Sequence, residues 1–210
     1  MTDPQPWRSD LPAPDDRAVG VHEFLFEHAA RLGDKPALID GPTGRALSYR
    51  QLAGAVERVA AGLAARGFGK GDVLALSSPN LPEYAVAMYG AMAAGGIVTG
   101  ANPLLTAGEL AGQLADAGAS VLVTVPPFLE VARAAAGRAG VGEVLVFGEA
   151  EGATPFASLL ATGGAPVHPG IDPAALPYSS GTTGLPKGGG ADPRQPGRPG
   201  PPGPGRDGHP

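Results

Sequence analysis

Between Val73 and Phe147 the chain alternates short apolar runs with capped helical stretches, and this alternation most narrowly limits the fold. The runs Val73 to Ser77, Ile97 to Ala101, Val121 to Val125 and Val144 to Phe147 are too short for helices and are apolar at nearly every position, so they read as strands buried on both faces. The intervening stretches open on helix signals. Pro82 in Asn80-Leu81-Pro82-Glu83 suits a first helical turn, where its missing N–H does no harm, and Thr106-Ala107-Gly108-Glu109 is a capping box whose helix closes near Gly118. A third helix is expected from Phe128 to Arg138. Strand and helix in this order predict an α/β fold, a mainly parallel sheet layered with helices on both faces.

Ahead of the alternation, the periodicity predicts a helix from Val21 to Leu32, with Val21, Phe24, Leu25, His28 and Leu32 on one face and Gly33 as its stop. Ala37 to Asp40 and Arg45 to Tyr49 read as a hairpin turning at Gly41-Pro42-Thr43-Gly44. Ser48 to Gln51 is another capping box, opening a helix that ends at Gly67. Residues 1–19 hold four prolines and mixed charge, the mark of an irregular leader.

A connection is expected from Gly163 to Pro173, then a short strand from Ala174 to Tyr178 that leads into Pro177-Tyr178-Ser179-Ser180-Gly181-Thr182-Thr183-Gly184-Leu185-Pro186-Lys187-Gly188. Hydroxyls, glycines and a lysine crowd together there with no acidic residue, which is the composition of an anion cradle. Gly181 and Gly184 can let backbone N–H groups close on a ligand. The spacing fits neither the Walker A loop, because Pro186 precedes the lysine, nor G-x-G-x-x-G. In an open α/β sheet, the carboxyl end of a strand is where ligands bind.

Tyr178 to Gly188 resembles, without a gap, the phosphate-binding signature of the adenylate-forming enzymes: acyl-CoA synthetases, luciferases and peptide-synthetase adenylation domains. The strings Asp34-Lys35-Pro36-Ala37-Leu38, Gly69-Lys70-Gly71-Asp72-Val73, Pro79-Asn80-Leu81-Pro82-Glu83 and Gly95-Gly96 leading to Ala101-Asn102-Pro103 are similar to the N-terminal half of acyl-CoA synthetases. Asn102-Pro103-Leu104 resembles the 4-coumarate:CoA ligase-like and medium-chain branches. The resemblance implies a partial AMP-binding N-terminal domain over 20–188, incomplete relative to the family's fold. It implies ATP and a small carboxylic acid as substrates, coenzyme A as co-substrate, and magnesium on the phosphates. By the same resemblance, Ser179, Ser180, Thr182 and Thr183 offer donors to the phosphates, Gly181 and Gly184 shape the loop, and Lys187 supplies a positive charge.

Residues 188–210 hold eight glycines and seven prolines and cannot bury a core, so 189–210 is expected to be disordered. The change of composition at Lys187 is also expected to be an out-of-frame reading. Shifted forward by one base, the codons permit Gly-Val-Val-Leu-Thr-His-x-Asn-Leu, which is how the family continues. A genuine extension is the alternative. The acyl pocket, the acidic metal ligand and the C-terminal lysine domain of the family would all follow Gly188, so the chain alone is expected to be inactive. Two other readings stay open: a non-catalytic nucleotide-binding or inert fragment, and an adenylation domain that loads a carrier protein.

A formal charge of −5 argues against nucleic acid as a partner, and zero cysteines exclude a disulfide framework. With no secretory pattern in the opening residues, a cytoplasmic setting is expected. The uncharged run from Tyr84 to Ala101 is mostly Ala and Gly and is split by Gly95-Gly96, so it reads as a buried helix and strand and no membrane span is expected. His22 and His28 read as surface or helix-packing residues, His168 and His209 lack a second ligand at metal spacing, and Glu149 and Glu151 read as exposed charges.

Overall fold

The computed structural model describes residues 19–161, 175–179 and 187–188. The leader up to residue 18, the whole Gly163 to Pro173 connection and the 189–210 tail lie outside the described residues.

The alternation folds as expected. Strands β3 (Val73–Ser77), β4 (Ile97–Gly100), β5 (Ala119–Thr124), β6 (Glu143–Val146) and β7 (Thr154–Pro155) form one sheet in the order β4-β3-β5-β6-β7. Every neighbouring pair is parallel. Helices α3 (Tyr49–Ala65) and α4 (Pro82–Ala93) pack on one face, α5 (Ala107–Ala117) and α6 (Leu129–Ala139) on the other. Side-chain alternation along β3 divides the core. Leu74 and Leu76 join α3 and α4, while Val73 and Ala75 join α5 and α6. In β5 the register slips at Ser120, where Val73 faces Ala119 but Leu74 faces Val121, so Ala119 and Leu122 can share a face despite their spacing.

Local chemistry sets the helix ends. The Ser48 hydroxyl accepts from the Gln51 N–H at 3.2 Å while the Gln51 side-chain Oε1 accepts from the Ser48 N–H at 2.9 Å. Thr106 and Glu109 repeat the device at the start of α5, and Gly118 closes that helix at φ 65°. Met88 and Met92 pack against the α3–α4 core as filler, and no described helix is long and apolar enough to cross a membrane.

The first helix is corrected. It breaks at Glu27-His28 into α1 (Val21–Phe26) and α2 (Ala29–Leu32), and Phe24 and Leu25 are 48% and 44% exposed. A six-residue helix without a side-chain cap is held by its contacts, not by its own periodicity. For α1 that contact is the edge-on packing of Phe26 on Tyr89, with ring centroids 5.6 Å apart, while α2 is anchored by the buried Ala29.

The hairpin forms from β1 (Pro36–Ile39) and β2 (Ala46–Ser48), antiparallel. It is tied to the first turn of α4 by a two-pronged ion pair, Arg45 Nη1 to Glu83 Oε1 at 2.5 Å and Nη2 to Oε2 at 2.7 Å. The hydrogen bond from Arg45 holds the Glu83 carboxyl below its usual range. A depressed pKa adds stability that is complete above the ordinary glutamate value and is lost as pH falls through the lowered one. Because the pair is partly exposed, Glu83→Gln should lower stability by about 0.5–1 kcal/mol at neutral pH. Urea midpoints of the two proteins should converge as the pH is taken down through that lowered value. A gap that is constant with pH would dismiss the ion pair as its source.

Candidate functional site

The segment expected to form the phosphate cradle leaves from the sheet's β4 edge. Ala175 bridges Val98 in parallel, the Leu176 N–H donates to the Val98 carbonyl at 2.8 Å, and the Thr99 hydroxyl donates to the Leu176 carbonyl at 2.9 Å. Pro177 then ends the ladder, since it has no N–H to give. The chain here runs with β4, so it passes the carboxyl end of the sheet.

There β8 (Tyr178–Ser179) pairs antiparallel with β9 (Lys187–Gly188), Tyr178 facing Gly188 and Ser179 facing Lys187. This stem closes the ends of the connection 180–186 against each other. Of the expected site residues, Ser179 and Lys187 are thus brought opposite one another by their backbones. Ser180, Gly181, Thr182, Thr183 and Gly184 lie outside the described residues.

A contact that local sequence patterns did not signal holds the stem. The Tyr178 hydroxyl donates to Asp116 Oδ2 at 2.6 Å, and Asp116 sits in the last turn of α5. Partial burial, followed by the bond to Asp116, holds the Tyr178 phenol well above its usual pKa. It therefore remains a proton donor across the neutral range. One turn earlier on the same helix, Gln113 Nε2 donates to the Gly100 carbonyl at 2.9 Å, so α5 also grips the carboxyl end of β4. Beside it Tyr84 is half-buried, and burial raises its phenol pKa.

The other sequence strings serve as folding punctuation. Gly69 N–H donates to Asp72 Oδ2 at 2.8 Å in the turn before β3. A Cβ on Gly96 would lie 2.2 Å from the Phe68 ring. Asn102 Oδ1 accepts from the Leu104 N–H at 3.0 Å. A groove of about 720 Å³ lies between α3, α4 and the segment after β6, rimmed by Arg45, Arg50, Arg58 and Glu83 over Val86, Phe147 and Phe156. Glu149 and Glu151 are exposed, as expected.

The profile of the AMP-binding enzyme family matches residues 25–189. The chain belongs to the AMP-binding enzyme family. This AMP-binding chain is 43% identical over 187 residues to 4-coumarate--CoA ligase 3 of Oryza sativa subsp. japonica, a match covering 87% of the chain and 34% of the relative. It is 38% identical over 194 residues to 4-coumarate-CoA ligase 1 of Narcissus pseudonarcissus, covering 87% and 34%. The chain thus spans about a third of the length of the curated relatives it matches. Among solved structures, the luciferase-like enzyme of the Zophobas morio mealworm superposes with a TM-score of 0.80 at 25% identity, covering 87% of this chain and 44% of that one. The anthranilate CoA ligase AuaEII in complex with anthranoyl-AMP superposes at 0.75 with 26% identity, covering 88% and 36%. The α/β architecture of this AMP-binding chain is therefore that of the adenylate-forming enzymes.

Proposed function

We propose that the chain carries the ATP-phosphate site of an enzyme that joins a carboxylic acid to coenzyme A through an acyl-adenylate. The observation that supports this reading is the β8–β9 stem, which seats Lys187 opposite Ser179 past the carboxyl end of a parallel sheet in an AMP-binding chain. In this reaction a carboxylate oxygen attacks the α-phosphorus of ATP, the bond to the β-phosphate oxygen breaks, and pyrophosphate leaves with the electron pair. The thiol of coenzyme A then attacks the acyl carbon, and AMP departs as the thioester forms. Charge gathers on the departing phosphates. The Lys187 ammonium, the hydroxyls of Ser179, Ser180, Thr182 and Thr183, and the N–H groups that Gly181 and Gly184 leave accessible would bind that charge and lower the barrier. Magnesium would enter with the nucleotide, on its phosphates. A cytoplasmic setting belongs to the same reading.

The test is calorimetric binding of magnesium ATP and of AMP to the 210-residue chain and its Lys187→Ala variant. A charge-assisted contact is worth about 1.5–3 kcal/mol, so the variant should bind ATP roughly tenfold to a hundredfold more weakly. AMP, which lacks the β and γ phosphates, should bind the two proteins alike. Equal ATP affinities would remove the assignment of Lys187, and no ATP binding by the unaltered chain would favour an inert fragment.

A further inference from the structure

We propose that Asp116 is a positioning residue for the phosphate loop, acting through the hydroxyl of Tyr178 on the stem that carries Ser179 and Lys187. The inference rests on the functional reading above and adds a residue from another element to it. Leu176 is fastened to β4 through both its N–H and its carbonyl, but Pro177 interrupts the ladder, so the stem beyond it is not part of the sheet. The bond from Tyr178 to Asp116 bridges that interruption. At 2.6 Å it lies in the range of an O–H donor facing a charged oxygen, which is stronger than a neutral bond.

Asp116 is poorly explained as a helix-stabilising residue. It stands in the last turn of α5, where a carboxylate opposes the helix dipole, and that turn holds no basic residue. A donor from the stem offsets this opposition, and the helix supplies a fixed reference in return. Leu110 and Leu114 of α5 are each 1% exposed in the core, Thr106 and Glu109 cap its start, and Gly118 closes its end. Tyr178 is next to Ser179 in the chain and faces Gly188 across the stem, so fixing its ring fixes both strands where they enter the loop. Because burial and the bond to Asp116 both raise its pKa, the phenol keeps the proton that this contact needs.

The test uses the full chain with Asp116→Ala, Asp116→Asn, Tyr178→Phe and the double variant of Asp116→Ala with Tyr178→Phe. Hydrogen exchange without ligand should quicken in peptides spanning 175–188 for Asp116→Ala and Tyr178→Phe, while β3 and β5 stay unchanged. The dissociation constant for magnesium ATP should rise about tenfold in each, the low end for a charge-assisted bond because Asp116 is exposed. Since both substitutions break one contact, the double variant should match either single one, and Asn, which still presents an acceptor oxygen, should restore most of the affinity. Unchanged exchange and affinity would overturn the proposal, as would additive losses in the double variant or an Asn variant as weak as Ala. If the unaltered chain fails to bind ATP, the functional reading falls on that result, and the exchange data alone support or overturn the tether.

Discussion

Gly62→Val is expected to destabilise the chain by about 3 kcal/mol, at the upper end of overpacking effects, because its side chain would grow into backbone. A Cβ at position 62 would lie 2.4 Å from the Leu159 carbonyl oxygen and 2.9 Å from both its carbonyl carbon and its Cα. Those atoms belong to the 3-10 turn Phe156–Leu159, which lies directly on α3. The turn has little room to retreat. Leu159 is fully buried, Phe156 is 3% exposed, and Phe156 meets Phe147 edge-on with centroids 4.9 Å apart. Helix propensity works the other way, since a glycine in a helix interior sits about 1 kcal/mol below alanine, but this gain is too small to offset the collision. Gly112→Ala supplies the control. Its Cβ would meet nothing within 4 Å, so there the propensity gain should appear as a stabilisation of about 0.5–1 kcal/mol. Urea unfolding of both variants decides the matter, and a stabilised Gly62→Val would refute the close approach of Leu159 to α3.

Leu74→Ala is expected to have an effect as large or larger, about 3–4 kcal/mol, from lost transfer energy plus a cavity that the surroundings cannot fill. Leu74 is fully buried on β3, the strand paired on one side with β4 and on the other with β5, so backbone ladders on both sides resist collapse. Leu104→Ala removes the same atoms from a side chain that is 78% exposed and should change stability by less than about 0.5 kcal/mol. The comparison is best read from urea midpoints at an unchanged m-value. Similar losses in both variants would contradict the placement of Leu74 in the core.

What could be read from the residues was whatever they encode locally. Val73 to Ser77 is apolar because both faces of its strand are covered, and Ser48 with Gln51, or Thr106 with Glu109, announces a helix start within four residues. The order of the sheet carries no such mark. β3 lies between β4 and β5 because of how the crossovers pack, and β7 is two residues whose partners are Leu145 and Val146. The Phe156–Leu159 turn carries no mark for the same reason, since its place is made by a glycine far back on α3. At the cradle, composition disclosed the hydroxyls and the lysine. The supports escaped notice because Thr99 with Leu176 and Asp116 with Tyr178 are pairs of ordinary residues, separated in sequence by 77 and 62 positions with no periodic signal between them.

The two-pair stem also divides the loop region into parts that tolerate length changes differently. Within 180–186 an added or deleted residue alters the span between Ser179 and Lys187 but leaves their pairing in register. An added residue between Leu176 and Tyr178 acts otherwise, because side chains alternate across a strand and a single-step slip exchanges the two sides. The tyrosine ring would then face away from α5, and the added residue, with no hydroxyl at that place, would stand over Asp116. Natural or engineered variation in loop length is therefore compatible with this architecture after Ser179 and incompatible with it before Tyr178.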